Sequence, residues 1–156
     1  MFRTRVIRAG AGLALMVALG ALLVTPVSAA STSLQVEAFN FGFEGIPTKL
    51  AAGTYAVTFA NDNDIYQHEL LSAKLAANKE NISQSEAVAC VDQVLASNDF
   101  SCFADQGQFV TIANPDTVAS GSVTLDKGRY IYLCGVPNRQ GVPHYRLGML
   151  RFVSGT

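Results

Sequence analysis

Apolar and polar residues alternate along much of the chain, with the period of two that is typical of β-strands. The first example is STSLQVEAFNFGFEGIP, residues 31–47, in which Leu34 and Val36 are followed by three phenylalanines at alternate positions. This pattern predicts a strand with one buried face. A second strand, residues 54–60, is predicted after the turn-forming Gly53 in KLAAGTYAVTFAN.

Five more apolar runs along the chain have the length of strands. Several of them end in Gly, Asn-Pro or Asp-Lys-Gly, which are residues that form turns. The runs are HELLSAKL, GQFVTIANPD, ASGSVTLDKG, GRYIYLCGV and LGMLRFVSGT. Many short strands at this spacing predict an all-β protein built as an antiparallel sandwich or barrel.

One segment, NISQSEAVACVDQVLASND at residues 81–99, has helical instead of strand periodicity. Its apolar side chains recur on one face, and they are Val88, Val91, Val94 and Leu95. Ser83 precedes the run as a possible N-cap, and Glu86 follows three residues later, as in a capping box. We therefore predict a short helical insertion between strands.

The N-terminal segment 1–30 has the three parts of a secretory signal peptide. It has a basic start, an apolar core over residues 11–24 and a small-residue exit at 27–29. The alternative is an uncleaved membrane anchor, but the apolar core is short for a span of about 20 residues. We expect cleavage after Ala29 or Ala30, and export of residues 31–156 to the periplasm or the cell exterior.

The charge balance indicates which partners to expect. Without the three arginines of its first 30 residues, the chain holds eight basic and twelve acidic residues, a formal charge of −4. No basic patch is visible, so nucleic acid is not an expected partner. The remaining length fits one domain, and no internal repeat suggests a second, so we expect a monomer without a membrane span after cleavage.

The chain has three cysteines, an odd number, so they cannot all form disulfides within one exported chain. Cys90 and Cys102 flank the segment VDQVLASNDFS, and in an oxidising compartment we predict a disulfide between them. That pairing leaves Cys134 as a free thiol, which would oxidise or cross-link unless a metal occupied it. The alternative is that Cys134 is only a small, buried apolar residue.

Cys134, His144 and Met149 lie within sixteen residues, on one strand–loop–strand unit. A thiolate and a thioether are soft sulfur ligands, and together with imidazole they favour copper. Two histidines, one cysteine and a weak axial methionine form the blue-copper set. That set needs a second histidine, and the chain has one other, His68. Taken singly, each histidine could be structural and Met149 could be a core residue.

Two segments, residues 53–71 and 124–153, resemble the plastocyanin/azurin group of cupredoxins. That pattern is a strand ending in a Phe-x-Asn turn with a histidine after it, then a Gly-x-Tyr-x-x-x-Cys strand followed by His and Met. The matching residues are Phe59, Asn61, His68, Gly128, Tyr130, Cys134, His144 and Met149. The resemblance implies a Greek-key β-sandwich that binds one copper ion per chain through His68, Cys134, His144 and Met149.

The sequence departs from this pattern at two places. Nine residues separate Cys134 from His144, more than in most of the family, so the insertion NRQGV has to bulge out of the loop. Glu69 stands after the first histidine, where family members often have an asparagine that tethers the ligand loop.

The resemblance implies a one-electron carrier and not an enzyme, because a site with no open position does not favour catalysis. We expect a redox partner to dock transiently on an apolar rim around His144. The rim residues are Pro137, Val142, Pro143, Tyr145 and Leu147. Copper capture or delivery in the cell envelope is an alternative, and a metal-free adhesion or scaffolding protein is another.

Overall fold

Turn-forming residues divide the part of the chain that the structure describes into nine short strands. The structure is a computed structural model that describes residues 32–63 and 65–156. Its strands are β1 (Thr32–Phe39), β2 (Gly42–Glu44), β3 (Lys49–Leu50), β4 (Gly53–Asn61), β5 (His68–Lys74), β6 (Gln108–Ala113), β7 (Thr117–Leu125), β8 (Gly128–Leu133) and β9 (Leu150–Gly155). The helical elements are one α-helix, α1 (Gln84–Ser97), and the short 3₁₀ turns Ala77–Lys79 and His144–Leu147.

The strands form two sheets that pack into a sandwich. One sheet has the order β2-β1-β4-β7, and the other has the order β3-β9-β8-β5-β6. The predicted β-sandwich with a helical insertion is confirmed, but its sheets are mixed and not purely antiparallel. Strand β1 pairs in parallel with β4, and β3 pairs in parallel with β9. The chain leaves the first sheet as β3 before it returns as β4, and parallel neighbours require such a crossover.

The predicted N-terminal strand is in fact a hairpin of two strands. Strand β1 pairs with β2 in antiparallel fashion, and Phe39 lies opposite Gly42. The chain reverses at Asn40, which has a positive φ of 46°, a conformation that asparagine tolerates better than most residues. The reversal places Phe41 at the tip of the hairpin instead of on the buried face of a long strand.

The main core lies between the two sheets, and period-two alternation supplies it. In β4, for example, Tyr55, Val57 and Phe59 are buried, while residues between them face outward. The buried members from the remaining strands and loops are Leu34, Val36, Ala38, Phe43, Leu70, Val110, Ala113, Val123, Leu125, Tyr130, Tyr132, Cys134, Met149 and Val153. Removing this apolar area from water is the main force that joins the sheets.

Helix α1 begins where the capping box predicts. Ser83 is the N-cap: its hydroxyl accepts from the Glu86 backbone amide at 3.3 Å, and the Glu86 carboxylate accepts from the Ser83 amide at 2.8 Å. The helix buries Ala87, Cys90 and Val91. Of the four apolar residues predicted to share one face, Leu95 is not buried, because its side chain is 68% exposed. It lies in the last helical turn, at the edge of an open groove between α1 and the β5–β6 pair.

A disulfide joins Cys90 of α1 to Cys102, which is the pairing predicted from the sequence. Cys102 is tied in turn to the sheet, because its carbonyl accepts from the Ala76 amide at 2.9 Å, just after β5. The helix is therefore linked to the end of β5 through the disulfide to Cys102 and the hydrogen bond between Cys102 and Ala76.

The predicted signal peptide, residues 1–30, lies outside the described residues and stays a prediction. In the portion of the chain that the structure covers, no helix combines the length and the apolar character needed to cross a membrane.

Candidate metal centre

The four predicted ligands meet at one end of the sandwich because their strands are neighbours. His68 is the first residue of β5, and Cys134 directly follows the adjacent strand β8. His144 opens the 3₁₀ turn His144–Leu147, and Met149 immediately precedes β9, the other neighbour of β8. All four side chains are completely buried, with 0% exposure.

Three donor atoms form a compact triangle. The Nδ1 atoms of His68 and His144 are 3.1 Å apart, and the Cys134 Sγ lies 3.5 Å from Nδ1 of His144 and 3.8 Å from Nδ1 of His68. Metal–nitrogen bonds of about 2.0 Å and metal–sulfur bonds of about 2.3 Å require donor separations of roughly 3.3–3.8 Å. The donors therefore have the chemistry and nearly the spacing that a single metal ion needs. Among residues 32–63 and 65–156, no other group of three His, Cys, Asp or Glu side chains clusters in this way.

Met149 is held beside this triangle by backbone hydrogen bonds. Its carbonyl accepts from the Cys134 amide at 3.2 Å, and its own amide donates to the His144 carbonyl at 3.1 Å. The methionine is thus fixed between two of the candidate ligands, where a thioether could serve as a weak additional donor.

Burial keeps both imidazoles neutral. It lowers the pKa of His68 to about 4, and the nearby His144 lowers it as well. Burial also lowers the pKa of His144. At neutral pH neither ring carries a proton on both nitrogens, so each can present an unprotonated nitrogen to a metal ion.

The cysteine needs a cation to become a thiolate. Burial raises the pKa of the Cys134 thiol to about 11, although backbone amides of Glu69 and Val136 donate to the sulfur and oppose this effect. The Glu69 amide lies 3.4 Å from Sγ. A bound metal ion would supply the positive charge that favours the thiolate, and the two amides would then stabilise the negative sulfur.

An aromatic pair covers the outer side of His144. The Phe41 ring centroid lies 4.9 Å from that of His144, and Tyr66 meets the imidazole edge-on at 5.3 Å. The two rings also contact each other, with centroids 5.7 Å apart. Within the described part of the chain, the outer Nε2 atoms of His68 and His144 have no hydrogen-bond partner. Phe41 and Tyr66, which sequence reasoning missed, therefore separate the His144 ring from solvent.

Glu69, noted as a departure from the family pattern, tethers the cysteine loop. Its Oε1 atom accepts from the Gly135 amide at 2.8 Å, one residue after Cys134. A Cβ on Gly135 would lie 2.8 Å from this same oxygen, so the close approach depends on glycine. Burial raises the pKa of Glu69, and the Gly135 hydrogen bond opposes the rise. Glu69 thus links β5 to the Cys134 loop.

Asparagine side chains shape the loop that precedes His68. Asn61 Nδ2 donates to the carbonyls of Tyr66 at 2.9 Å and Ala113 at 3.1 Å. Asn63 Oδ1 accepts from the amides of Ile65 at 2.8 Å and Tyr66 at 3.0 Å. These bonds place Tyr66 over the site and deliver His68 to the start of β5.

The insertion in the Cys134–His144 loop bulges outward, as predicted. Asn138 and Val142 close it: the Asn138 amide donates to the Val142 carbonyl at 2.9 Å, and the Asn138 side chain accepts from the Val142 amide at 2.9 Å. The chain then returns, and the His144 amide donates to the Val136 carbonyl at 2.9 Å. The extra residues form a self-contained turn, so His144 still reaches Cys134.

The predicted apolar rim is wrong at Tyr145. This side chain is 1% exposed and packs beneath α1, where its hydroxyl donates to Asp92 at 2.6 Å. Pro137 and Leu147 are exposed, whereas His144, around which the rim was predicted, is not. Successive residues of a 3₁₀ turn point about 120° apart, so Tyr145 faces away from the surface on which Leu147 lies.

Comparison with solved structures identifies the fold. Auracyanin A, a "blue" copper protein from Chloroflexus aurantiacus, aligns over 81% of this chain and 99% of its own, with 21% identity and a TM-score of 0.53. Auracyanin from Roseiflexus castenholzii aligns over 81% and 98%, with 21% identity and a TM-score of 0.50. Auracyanin B aligns over 80% and 88%, with 20% identity and a TM-score of 0.52.

These similarities show that the chain has the cupredoxin fold. The cluster of two histidines and one cysteine lies at one end of this sandwich. No known protein-family profile matches the sequence, and no curated protein matches it either.

Proposed function

We propose that this protein is an exported type I copper protein that carries single electrons. His68, Cys134 and His144 would hold the copper ion, and the Met149 thioether would serve as a weak additional donor. When bound, one copper ion per chain supplies the Cu(II)/Cu(I) couple. The observation that carries the proposal is the triangle of Nδ1, Nδ1 and Sγ atoms, with sides of 3.1, 3.5 and 3.8 Å.

The closed form of the site supports electron transfer over catalysis. All four proposed ligands are fully buried, and metal-dependent catalysis usually needs an open coordination position. Burial also argues against copper delivery, because an acceptor protein would have to reach ligands that water does not. We therefore propose that the protein is not an enzyme.

The attachment of the ligands supports fast electron exchange. They come from β5, from the end of β8, and from the segment before β9, all held in one sheet. Hydrogen bonds from Glu69 and the backbone fix the Cys134 loop further. Ligands held this firmly by the chain change position little between oxidation states, which keeps the reorganisation needed for each transfer small.

We propose that a redox partner docks transiently where Phe41 and Tyr66 cover His144. Ile65, beside Tyr66 in sequence, is 52% exposed, and Leu147, in the His144 turn, is 40% exposed. A small apolar patch of this kind suits a weak, short-lived complex. The aromatic rings would lie between the partner and the imidazole.

Export fits the cysteine chemistry. The Cys90–Cys102 disulfide is of the kind that persists in an oxidising compartment. The proposed mature domain is residues 31–156, and N-terminal sequencing of the exported protein would identify its first residue. Material beginning at Met1 would contradict the cleavage step.

The proposal is tested by adding Cu(II) to the metal-free protein and recording its visible absorption. We expect one copper per chain and the intense colour of a copper–thiolate bond. Cys134→Ser should abolish the colour even where weak copper binding remains, because the charge-transfer donor is gone. A colourless wild-type protein, or an unchanged spectrum in Cys134→Ser, would refute the assignment.

A further inference from the structure

The two residues that follow His144 are both held by one carboxylate of helix α1. Asp92 Oδ1 accepts from the Tyr145 hydroxyl at 2.6 Å and from the Arg146 Nε at 2.8 Å. Tyr145 is buried, while Arg146 and Asp92 are partly exposed. Hydrogen bonds to an ionised acceptor are stronger than those between neutral groups. A single residue of the helix therefore fixes two consecutive residues of the ligand turn.

The helix is a rigid support for this carboxylate. Two residues before Asp92, Cys90 forms the disulfide to Cys102. Ala87 and Val91 pack in one buried cluster with Tyr145, and this cluster also contains residues of β8 and β9. Asp92 thus projects from a helix that is anchored covalently on one side and by apolar packing on the other.

The other contacts of the turn connect it directly to the candidate ligands. The Tyr145 amide donates to the Cys134 carbonyl at 2.9 Å, and the Met149 amide donates to the His144 carbonyl at 3.1 Å. A displacement of Tyr145 would therefore move the His144 ring relative to the Cys134 sulfur.

We propose that Asp92 is a positioning residue for the metal centre. By holding Tyr145 and Arg146, Asp92 fixes the orientation of His144. The inserted helix therefore contributes to the geometry of the metal centre. This inference rests on the proposed function of His144 as a ligand. Groups that orient ligands without touching the metal commonly affect its affinity and redox behaviour.

The test compares Asp92→Ala, Asp92→Asn and Tyr145→Phe with a control, Glu86→Ala. The control removes the capping box at the start of the same helix, which weakens the helix without touching the ligand turn. Three quantities are measured: amide hydrogen exchange of residues 144–149 in the metal-free protein, and both the visible spectrum and the reduction potential of the copper-loaded protein.

We expect Asp92→Ala to speed exchange in the turn by about tenfold or more, as local opening becomes easier, and to shift both the spectrum and the potential. Asp92→Asn, which keeps one acceptor oxygen, should have a smaller effect. Tyr145→Phe, which keeps the ring and loses the hydroxyl, should also be intermediate. Glu86→Ala should lower the melting temperature while leaving the turn, the spectrum and the potential unchanged.

The proposal is overturned if the Asp92 and Tyr145 variants behave like Glu86→Ala, with lower stability and an unaltered centre. If Asp92→Ala fails to fold, Asp92→Asn and Tyr145→Phe decide the matter. Failure of the proposed function is recognised separately, since the wild-type protein would then show no copper–thiolate colour while hydrogen exchange in the metal-free turn could still respond to Asp92.

Discussion

The Nδ1 atoms of His68 and His144 lie 3.1 Å apart, although 76 residues separate the two histidines in sequence. Two buried imidazoles this close would repel each other if both were protonated, and the lowered pKa of each ring avoids that charge. Both rings are therefore neutral at pH 7, and their Nδ1 atoms lie close enough to bind one metal ion. The thiol of Cys134 completes the cluster.

His144→Ala and Met149→Leu should affect copper differently. Loss of an imidazole removes one of three strong ligands, so His144→Ala should change the colour and greatly weaken copper binding. Met149→Leu should keep the colour and raise the reduction potential, because without this weak thioether donor the Cu(II) form would be stabilised less. Copper titration, visible spectra and voltammetry measure these effects. An unaltered spectrum and affinity in His144→Ala would show that the loop assignment is wrong.

Phe41→Ala should lower the reduction potential. The Phe41 ring lies against His144, and its removal would admit water, which stabilises the more highly charged Cu(II) form of the centre. Phe39→Ala is a matched control, because Phe39 lies on the same hairpin, whereas the rings of Phe41 and Tyr66 are the ones that pack against His144. The potentials of both variants are compared by voltammetry; equal shifts would mean that Phe41 does not act as a cover.

Glu69→Ala should weaken the centre more than Glu69→Gln does. The alanine variant loses the acceptor that holds the Gly135 amide, whereas glutamine keeps a carbonyl oxygen in its place. We expect Glu69→Ala to lower copper affinity by about 10–100-fold, as is typical when a group supporting a ligand is removed. Competition with a chelator of known affinity measures the change. Equal affinities in the two variants would argue against the tether.

The metal-free protein should lose stability as the pH falls from about 7 to 4. The folded-state pKa of His68 is about 4, below the ordinary value near 6.5, so the unfolded chain binds its proton first as the pH falls. Stability is therefore fully present above about pH 6.5 and declines by about 3 kcal/mol down to pH 4 from this residue alone. Denaturant unfolding at several pH values measures it. In His68→Gln the slope should be markedly smaller, and an equal slope would contradict the attribution.

The sequence alone was enough to predict most strands, the start of the helix and the disulfide. These features depend on local information: alternation in β4, the Ser83–Glu86 capping box, and the pairing of Cys90 with Cys102 under oxidising conditions. The candidate ligands could be proposed by the same means, because the chain has only two histidines and one cysteine outside the disulfide.

Only the tertiary structure decided what surrounds those ligands. The reversal at Asn40 turned a predicted strand into a hairpin and brought Phe41 onto His144. The packing of α1 buried Tyr145 against Asp92 instead of leaving it on the rim. Residue type and spacing determine which groups can bind a metal, because coordination chemistry belongs to the side chain. The solvent, hydrogen bonds and rings around them depend on contacts between segments distant in sequence, which no local pattern encodes.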